Sequence, residues 1–322
     1  MQTKITYAFL FVVVLLSGCD QSFNPKAALE DRLVVFSVIS NDRDVQFVRV
    51  NTNYDVSGFD LSENRVEQGL SGADVAIIGP SSAVTFRDTL FPRPDTNRYV
   101  APIHAYVGSP FRPEPGRKYD LIVHSVRFGS VTATVKLPDR PNISLYPGEL
   151  AVDRPEQFDP RSFFYLRTTL SPFAKGSLCQ LFIDYQVQQD TSWTNGRTEV
   201  PFQINVDTLG IWIATYPTFT RVTGNATGIT YKNYTYRRAL IRVLEHFPHN
   251  RVLFKRVVLR VFQCEQGYYD YYNTVNGFQD RVSIRIDQPD FTNIKGGLGM
   301  FGAYTLDSLS HNFPDDFSLN AR

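Results

Sequence analysis

Five histidines, three cysteines and a glycine-rich run near the carboxyl end are the residues whose types and spacing could do chemistry. His246 and His249, in Glu245-His246-Phe247-Pro248-His249, come nearest to a metal pair. Pro248 forbids a continuous helix that would put both rings on one face, and no third ligand adjoins them. The segment therefore reads as a turn between two strands, and no metal is expected. Gly297-Leu298-Gly299-Met300-Phe301-Gly302 spells the G-x-G-x-x-G of dinucleotide-binding turns. That fingerprint works only between a strand and a helix, with an acidic residue about twenty positions on. Here a polar loop precedes it and Ala303-Tyr304-Thr305-Leu306 follows. The glycines read instead as points of sharp turning or close packing. Ile294, Leu298, Met300 and Phe301 would fill a core and lead into a closing strand, without a cofactor. No G-x-S-x-G, H-E-x-x-H or phosphate-binding loop occurs, and neither Cys179 nor Cys264 has a histidine close in sequence. The expectation is a protein without catalysis.

The third cysteine suggests a different chemistry. Lys4 supplies a positive start, Tyr7 to Leu16 an apolar run too short to span a bilayer, and Leu16-Ser17-Gly18-Cys19 a small-residue ending. This is the pattern of a secretory signal, and its ending resembles the bacterial lipobox, in which the cysteine is acylated and the bond before it is cut. Residues 1–18 are then a signal peptide, and the chain is held to membrane lipid through acylated Cys19. In an oxidising compartment the two remaining thiols usually close, so a Cys179 to Cys264 disulfide is expected, with two separately buried thiols as the alternative.

Tyr268, Tyr269, Tyr271 and Tyr272 form the densest aromatic cluster. Tyrosine combines a flat apolar body with a polar tip, suited to stacking on a sugar or anchoring a protein interface. The competing reading has alternate tyrosines sealing a short helix onto a sheet. Trp193, Trp212, Tyr216 and Phe219 are a second, more dispersed group.

The elements that must position these groups read as strands. Composition is 43% hydrophobic and 20% charged, with 17 tyrosines, 25 phenylalanines and only two methionines. Net charge is +1, from 33 basic against 32 acidic residues, so no electrostatic case exists for nucleic acid. Residues 19–28 are a polar tether. From Leu33 the chain alternates in short apolar stretches at 33–40, 45–54, 73–79, 83–90, 97–103, 117–126 and 130–138, the first two joined as a hairpin through Asn41 to Asp44. This predicts a β-sandwich over residues 29–140. Pro141, Pro147, Pro155 and Pro160 mark 141–160 as a proline-rich linker. A second β-rich domain follows over 161–322, with strands at 162–170, 177–189, 199–206, 211–217, 234–247, 251–265 and 283–286. Residues 251–265 read as a central strand, with Lys255, Arg256 and Arg260 reaching out at an end. Tyr268 to Phe278 reads as a short helix. The fold class expected is all-β, with two sandwich-like domains.

Several of these pieces together carry a resemblance. The lipobox cysteine, Leu33-Val34-Val35, Gly72 to Val75, the Gly-x-x-Tyr-x-Leu of Gly116 to Leu121, the YYDYY cluster and Asn293 to Ala303 resemble a Bacteroidota lipoprotein family catalogued as domain of unknown function 4249. The resemblance implies an outer-membrane lipoprotein, frequently encoded beside a TonB-dependent receptor, with an immunoglobulin-like or transthyretin-like first domain. It supplies no catalytic residues. Asp88-Thr89-Leu90, Asp207-Thr208-Leu209 and Asp307-Ser308-Leu309 are similar to the Asp-Ser/Thr-apolar acceptor of Bacteroidota O-glycosylation. The resulting expectation is a non-catalytic accessory or ligand-capture partner of a TonB-dependent β-barrel, anchored in the outer membrane with its face open. The alternative is a structural or adhesive envelope protein that binds glycan or another surface protein.

Overall fold

The computed structural model describes residues 30–53, 69–94, 96, 99–146, 161, 163–206, 208, 212–276, 291–315 and 317. The expected signal peptide, Cys19, the expected tether, most of the proline-rich segment and the expected strand at 283–286 lie outside the described residues. The fold is mainly β, with only two short helices among the described residues.

Strands β1 (Leu33–Ser40) and β2 (Gln46–Thr52) form the antiparallel hairpin that their alternation predicts. β3 (Asp74–Ile78), β4 (Ala83–Phe91), β5 (Ile103–Gly108), β6 (Lys118–Ser125) and β7 (Gly129–Lys136) follow. β5 starts where the stretch 97–103 was expected to end. Pro102 has no N–H to give a ladder, and the strand begins directly after it. β4 serves both halves of this region, pairing with β3 through Ala83 to Phe86 and with β5 through Arg87 to Phe91. Between β1, β2 and β5 on one side and β3, β6 and β7 on the other lies a core of Val35, Ile39, Val48, Val50, Val75, Ile77, Leu121, Val123 and Val135.

The second half begins with β8 (Asn142–Tyr146), which occupies the start of the expected linker and pairs with β9 (Phe163–Thr169). β10 (Gly176–Gln189) and β11 (Ser192–Glu199) form a long hairpin around Asp190, whose φ of 52° suits a two-residue loop. β12 (Gln203–Val206) pairs with β13 (Trp212–Thr215); β14 (Thr220–Arg221) and β15 (Ala226–Lys232) follow. The stretch 234–247, expected as a strand, is helix α1 (Asn233–His246). Its buried residues Asn233, Tyr236, Leu240 and Val243 recur at helical spacing, and that stripe closes a second core with Leu166, Leu181, Ile183, Val257, Leu259 and Val261. The expected turn at His246–His249 is consequently the exit of a helix.

β16 (Val252–Cys264), helix α2 (Gln266–Asn276) and β17 (Leu298–Asn312) complete the chain. β17 is the strand on which the architecture turns. Its first part lies parallel to β1, with Phe301 opposite Ser37, and its second part runs antiparallel to β16, with Leu309 opposite Leu259. One twelve-stranded sheet therefore runs β11-β10-β16-β17-β1-β2-β5-β4-β3-β6-β7, with β14 attached to β10. Phe301 and Ala303, from the end of the chain, are fully buried in the core made by its beginning.

Candidate functional site

The residues singled out by sequence fall in three places. Cys179 and Cys264 sit on neighbouring strands, β10 and β16, and both thiols are free and buried. The expected disulfide does not form, and the reason is register. Cys179 lies opposite Val261 and Cys264 opposite Gly176. Val261 and Cys264 are three residues apart on one strand, so the two thiols point to opposite faces of the sheet. Burial pushes the Cys179 thiol up to about 11 and raises Cys264 further, which keeps both protonated.

The tyrosine cluster and the glycine-rich motif form one packed unit. Glu265 precedes α2, and its carboxylate accepts from the N–H groups of Gly267 (2.5 Å) and Tyr268 (2.7 Å), capping the helix, and from Ala303 N–H (3.4 Å). Burial outweighs these bonds and raises the carboxyl above its ordinary value. Tyr268 packs on Phe262 and Tyr304, and Tyr271 on Phe36; Tyr269 and Tyr272 pack on Phe219, a residue the sequence had left unassigned. Asn293 exchanges two hydrogen bonds with the backbone of Phe301, each 2.8 Å. At Gly299, φ is +108° and a Cβ would fall onto the backbone of Val35. The glycines thus let β17 run hard against β1 inside a strand that continues to Asn312. Tyr119 of the Gly-x-x-Tyr-x-Leu element is likewise buried, its hydroxyl accepting from Glu114 N–H at 2.6 Å. Of the acceptor-like triplets, Ser308 is exposed on β17, Thr89 is half-buried on β4, and Asp207 and Leu209 lie outside the described residues.

The arrangement with the most chemistry lies on the other end of the same sheet. Register places Arg197 of β11, Asp184 of β10, Arg256 of β16 and Asn312 of β17 in one row on one face. Arg197 grips Asp184 with two bonds, Nε to Oδ1 at 2.5 Å and Nη2 to Oδ2 at 2.9 Å, and Arg256 adds Nε to Oδ2 at 2.8 Å. The Arg197 bonds, reinforced by Arg256, hold the Asp184 carboxyl below its usual range. A β-bulge between Asp184 and Tyr185 turns the strand here, and a groove of about 800 Å³ opens beside it. Its lining combines charged and amide side chains, Asp184, Arg197, Arg256, Lys255, Asn195 and Asn312, with the aromatic Tyr185, Phe254, Phe313 and Phe317. Phe313 and Phe317 lie with centroids 4.5 Å apart, their rings tilted by 43°, and Phe254 meets both within 5.8 Å. A groove of this size, lined by both aromatic and fixed polar groups, is suited to a small or oligomeric ligand.

Sequence reading reached Arg256 as an outward residue but missed the site. A signal was present: Asp184 and Arg197 are equidistant from the Asp190-Thr191 turn, so a two-residue hairpin must set them opposite each other. A second exposed group lies where β13 meets α1. Trp212 is 50% exposed and Tyr234 39%, their rings 5.9 Å apart, and Arg238 lies 5.3 Å from the Trp212 ring.

Among solved structures, the chain is similar to a DUF4785 family protein from Legionella pneumophila subsp. pneumophila str. Philadelphia 1. Identity is 8% and the TM-score 0.23, over 71% of this chain and 50% of that one. The chain thus spans half of that protein's length. It is also similar to collagen adhesin from S. aureus, at 8% identity and a TM-score of 0.11, over 86% of this chain and 93% of that one. Neither likeness carries an argument about function at these scores. No curated protein matches the sequence. A family model does, across residues 20–310, and the chain belongs to the family described as Domain of unknown function (DUF4249).

Proposed function

We propose that the protein is a non-catalytic lipoprotein of a Bacteroidota outer membrane, held by acylated Cys19, that captures a ligand for a TonB-dependent transporter. The anchor rests on the Leu16-Ser17-Gly18-Cys19 ending directly after an apolar run. Capture rests on one observation above the others, the Arg197–Asp184–Arg256 row at the mouth of an aromatic groove of about 800 Å³. The row is rigid because three paired strands supply it, and preorganised donors bind without paying to be ordered. The transporter partnership comes from the family resemblance.

Deleting the protein should abolish or sharply reduce uptake of one nutrient while leaving growth on others unchanged. Normal uptake across a broad nutrient panel overturns the reading. Cys19→Ala should release the protein from the membrane fraction and eliminate palmitate labelling; retention in the membrane would contradict the anchor.

A structural or adhesive role is the second reading. What favours it is the exposed Trp212, Ile213, Tyr216 and Tyr234 group, since aromatic side chains at this exposure suit contact with another surface. Under that reading, deletion changes attachment or envelope integrity and leaves uptake alone.

A further inference from the structure

The face that carries Asp184 extends beyond the groove. Two residues further along the strands lie Phe182, Val258 and Ser310, and two further again Gln180, Arg260 and Ser308. A trough of about 390 Å³ follows this line, bordered by Arg197, Arg256, Val258, Arg260, Ser308 and Ser310. Arg197 and Arg256 border both the trough and the aromatic groove, so the two form one path.

Counted with the arginines that pair with its carboxylates, the path carries six cations, Arg43, Arg140, Arg197, Lys255, Arg256 and Arg260, against four carboxylates, Asp42, Asp184, Asp307 and Asp315. Asp184 is shared by two arginines. Asp42 and Asp307 also line the trough and have arginine partners of their own, Arg43 at 3.7 Å and Arg140 at 3.5 Å. Among the described residues, neither Arg260 nor Lys255 has a carboxylate partner. Arg256 spends only its Nε on Asp184. Arg256 and Arg260 stand four residues apart on β16, about 13 Å along a strand. The hydroxyls of Ser308 and Ser310 are exposed beside them.

From this the geometry points to a linear acidic oligosaccharide as the ligand, a uronate or sulfated glycan whose rings lie against Phe254 and Phe317 and whose anionic groups meet Arg256 and Arg260. The inference rests on the ligand-capture reading and names its chemical class. Flat aromatic faces suit pyranose rings, amides and hydroxyls suit sugar hydroxyls, and guanidinium forks suit carboxylate and sulfate. A peptide seeking a free strand edge has none on β10 or β16, which are paired on both sides.

The test is calorimetric titration of the full-length, lipidated protein in detergent with three probes of equal length: a galacturonate oligomer, a sulfated galactan oligomer and a neutral galactan oligomer. At least one acidic probe should bind about tenfold or more tightly than the neutral one, with affinity falling as salt rises. Preference for the uronate or the sulfate arm identifies the anion, and either supports the proposal. Arg260→Gln, which breaks no described ion pair, should weaken acidic binding about tenfold and leave the melting temperature unchanged; Arg256→Gln is the second variant. Equal binding of neutral and acidic probes overturns the acidic ligand while leaving sugar capture standing. Absence of binding by both acidic probes overturns the inference, even where a transporter co-purifies and the accessory role survives.

Discussion

Two buried or half-buried carboxylates give the molecule opposite pH signatures, and each can be read from its neighbours. Arg197 and Arg256 depress the Asp184 carboxyl, so its stabilisation is full above the ordinary carboxylate range and disappears as pH falls through the lowered value. The melting-temperature gap between the natural protein and Asp184→Asn should therefore close on acidification, and a gap independent of pH would contradict the account. Burial raises the Glu265 carboxyl, so the folded state holds that proton more tightly. Its contribution is present at low pH and lost as pH rises through the raised value, and the natural protein should lose stability relative to Glu265→Gln over that window. The two cysteines make a third prediction. With their thiols buried and on opposite faces, a thiol reagent should leave Cys179 and Cys264 untouched in the folded protein and modify both after denaturation. A single disulfide under non-reducing conditions would refute the register.

At the level of elements, the strands of the first half were legible because one face of each is buried and period-two alternation reports that directly. Helix α1 was not, since Tyr234, Thr235, Tyr236 and Val243 are residue types that favour strands and only the packing of Tyr236 and Leu240 on the second core decides the matter. The pairing of β1 with β17 was also beyond reach, because register between strands so distant in sequence depends on the finished fold. What sequence did show was the packing role of Ile294, Met300 and Phe301, buried as expected, whereas Leu298 of the same set is only half-buried. The Asp184–Arg197 pair could have been found from its hairpin; the third member, Arg256, required knowing that β16 lies on the far side of β10. Gly299 tests the junction itself. An alanine there meets both positive φ and the Val35 backbone, so Gly299→Ala should cost roughly 2–4 kcal/mol in urea unfolding, and a loss below about 0.5 kcal/mol would mean β17 is not seated as described.

For the molecule as a whole, β17 joins two hydrophobic cores into one sheet, and buried polar groups pin the joint. Thr305 Oγ1 donates to Pro138 O at 2.7 Å, Gln263 Nε2 donates to Asp139 O, and Ser171 N–H donates to Gln263 Oε1 at 3.0 Å. Such groups are costly to leave unpaired, so β16 and β17 are held to the segment between the cores. Removing residues 291–322 should therefore unfold the first core along with the second, visible as loss of protection of Val35 and Val48 amides in hydrogen exchange. Retained protection there would show that residues 30–140 stand alone. This continuity places the groove strands β10, β11 and β16 and the first described strand, β1, in one sheet. The central claim, that this is a membrane-anchored partner of a TonB-dependent transporter, is most directly tested by purifying the full-length lipidated protein from its native membrane in mild detergent and identifying and quantifying every co-purifying chain. A near-stoichiometric TonB-dependent barrel is the predicted result; recovery of the protein alone, or only with glycan or surface-layer material, would contradict it.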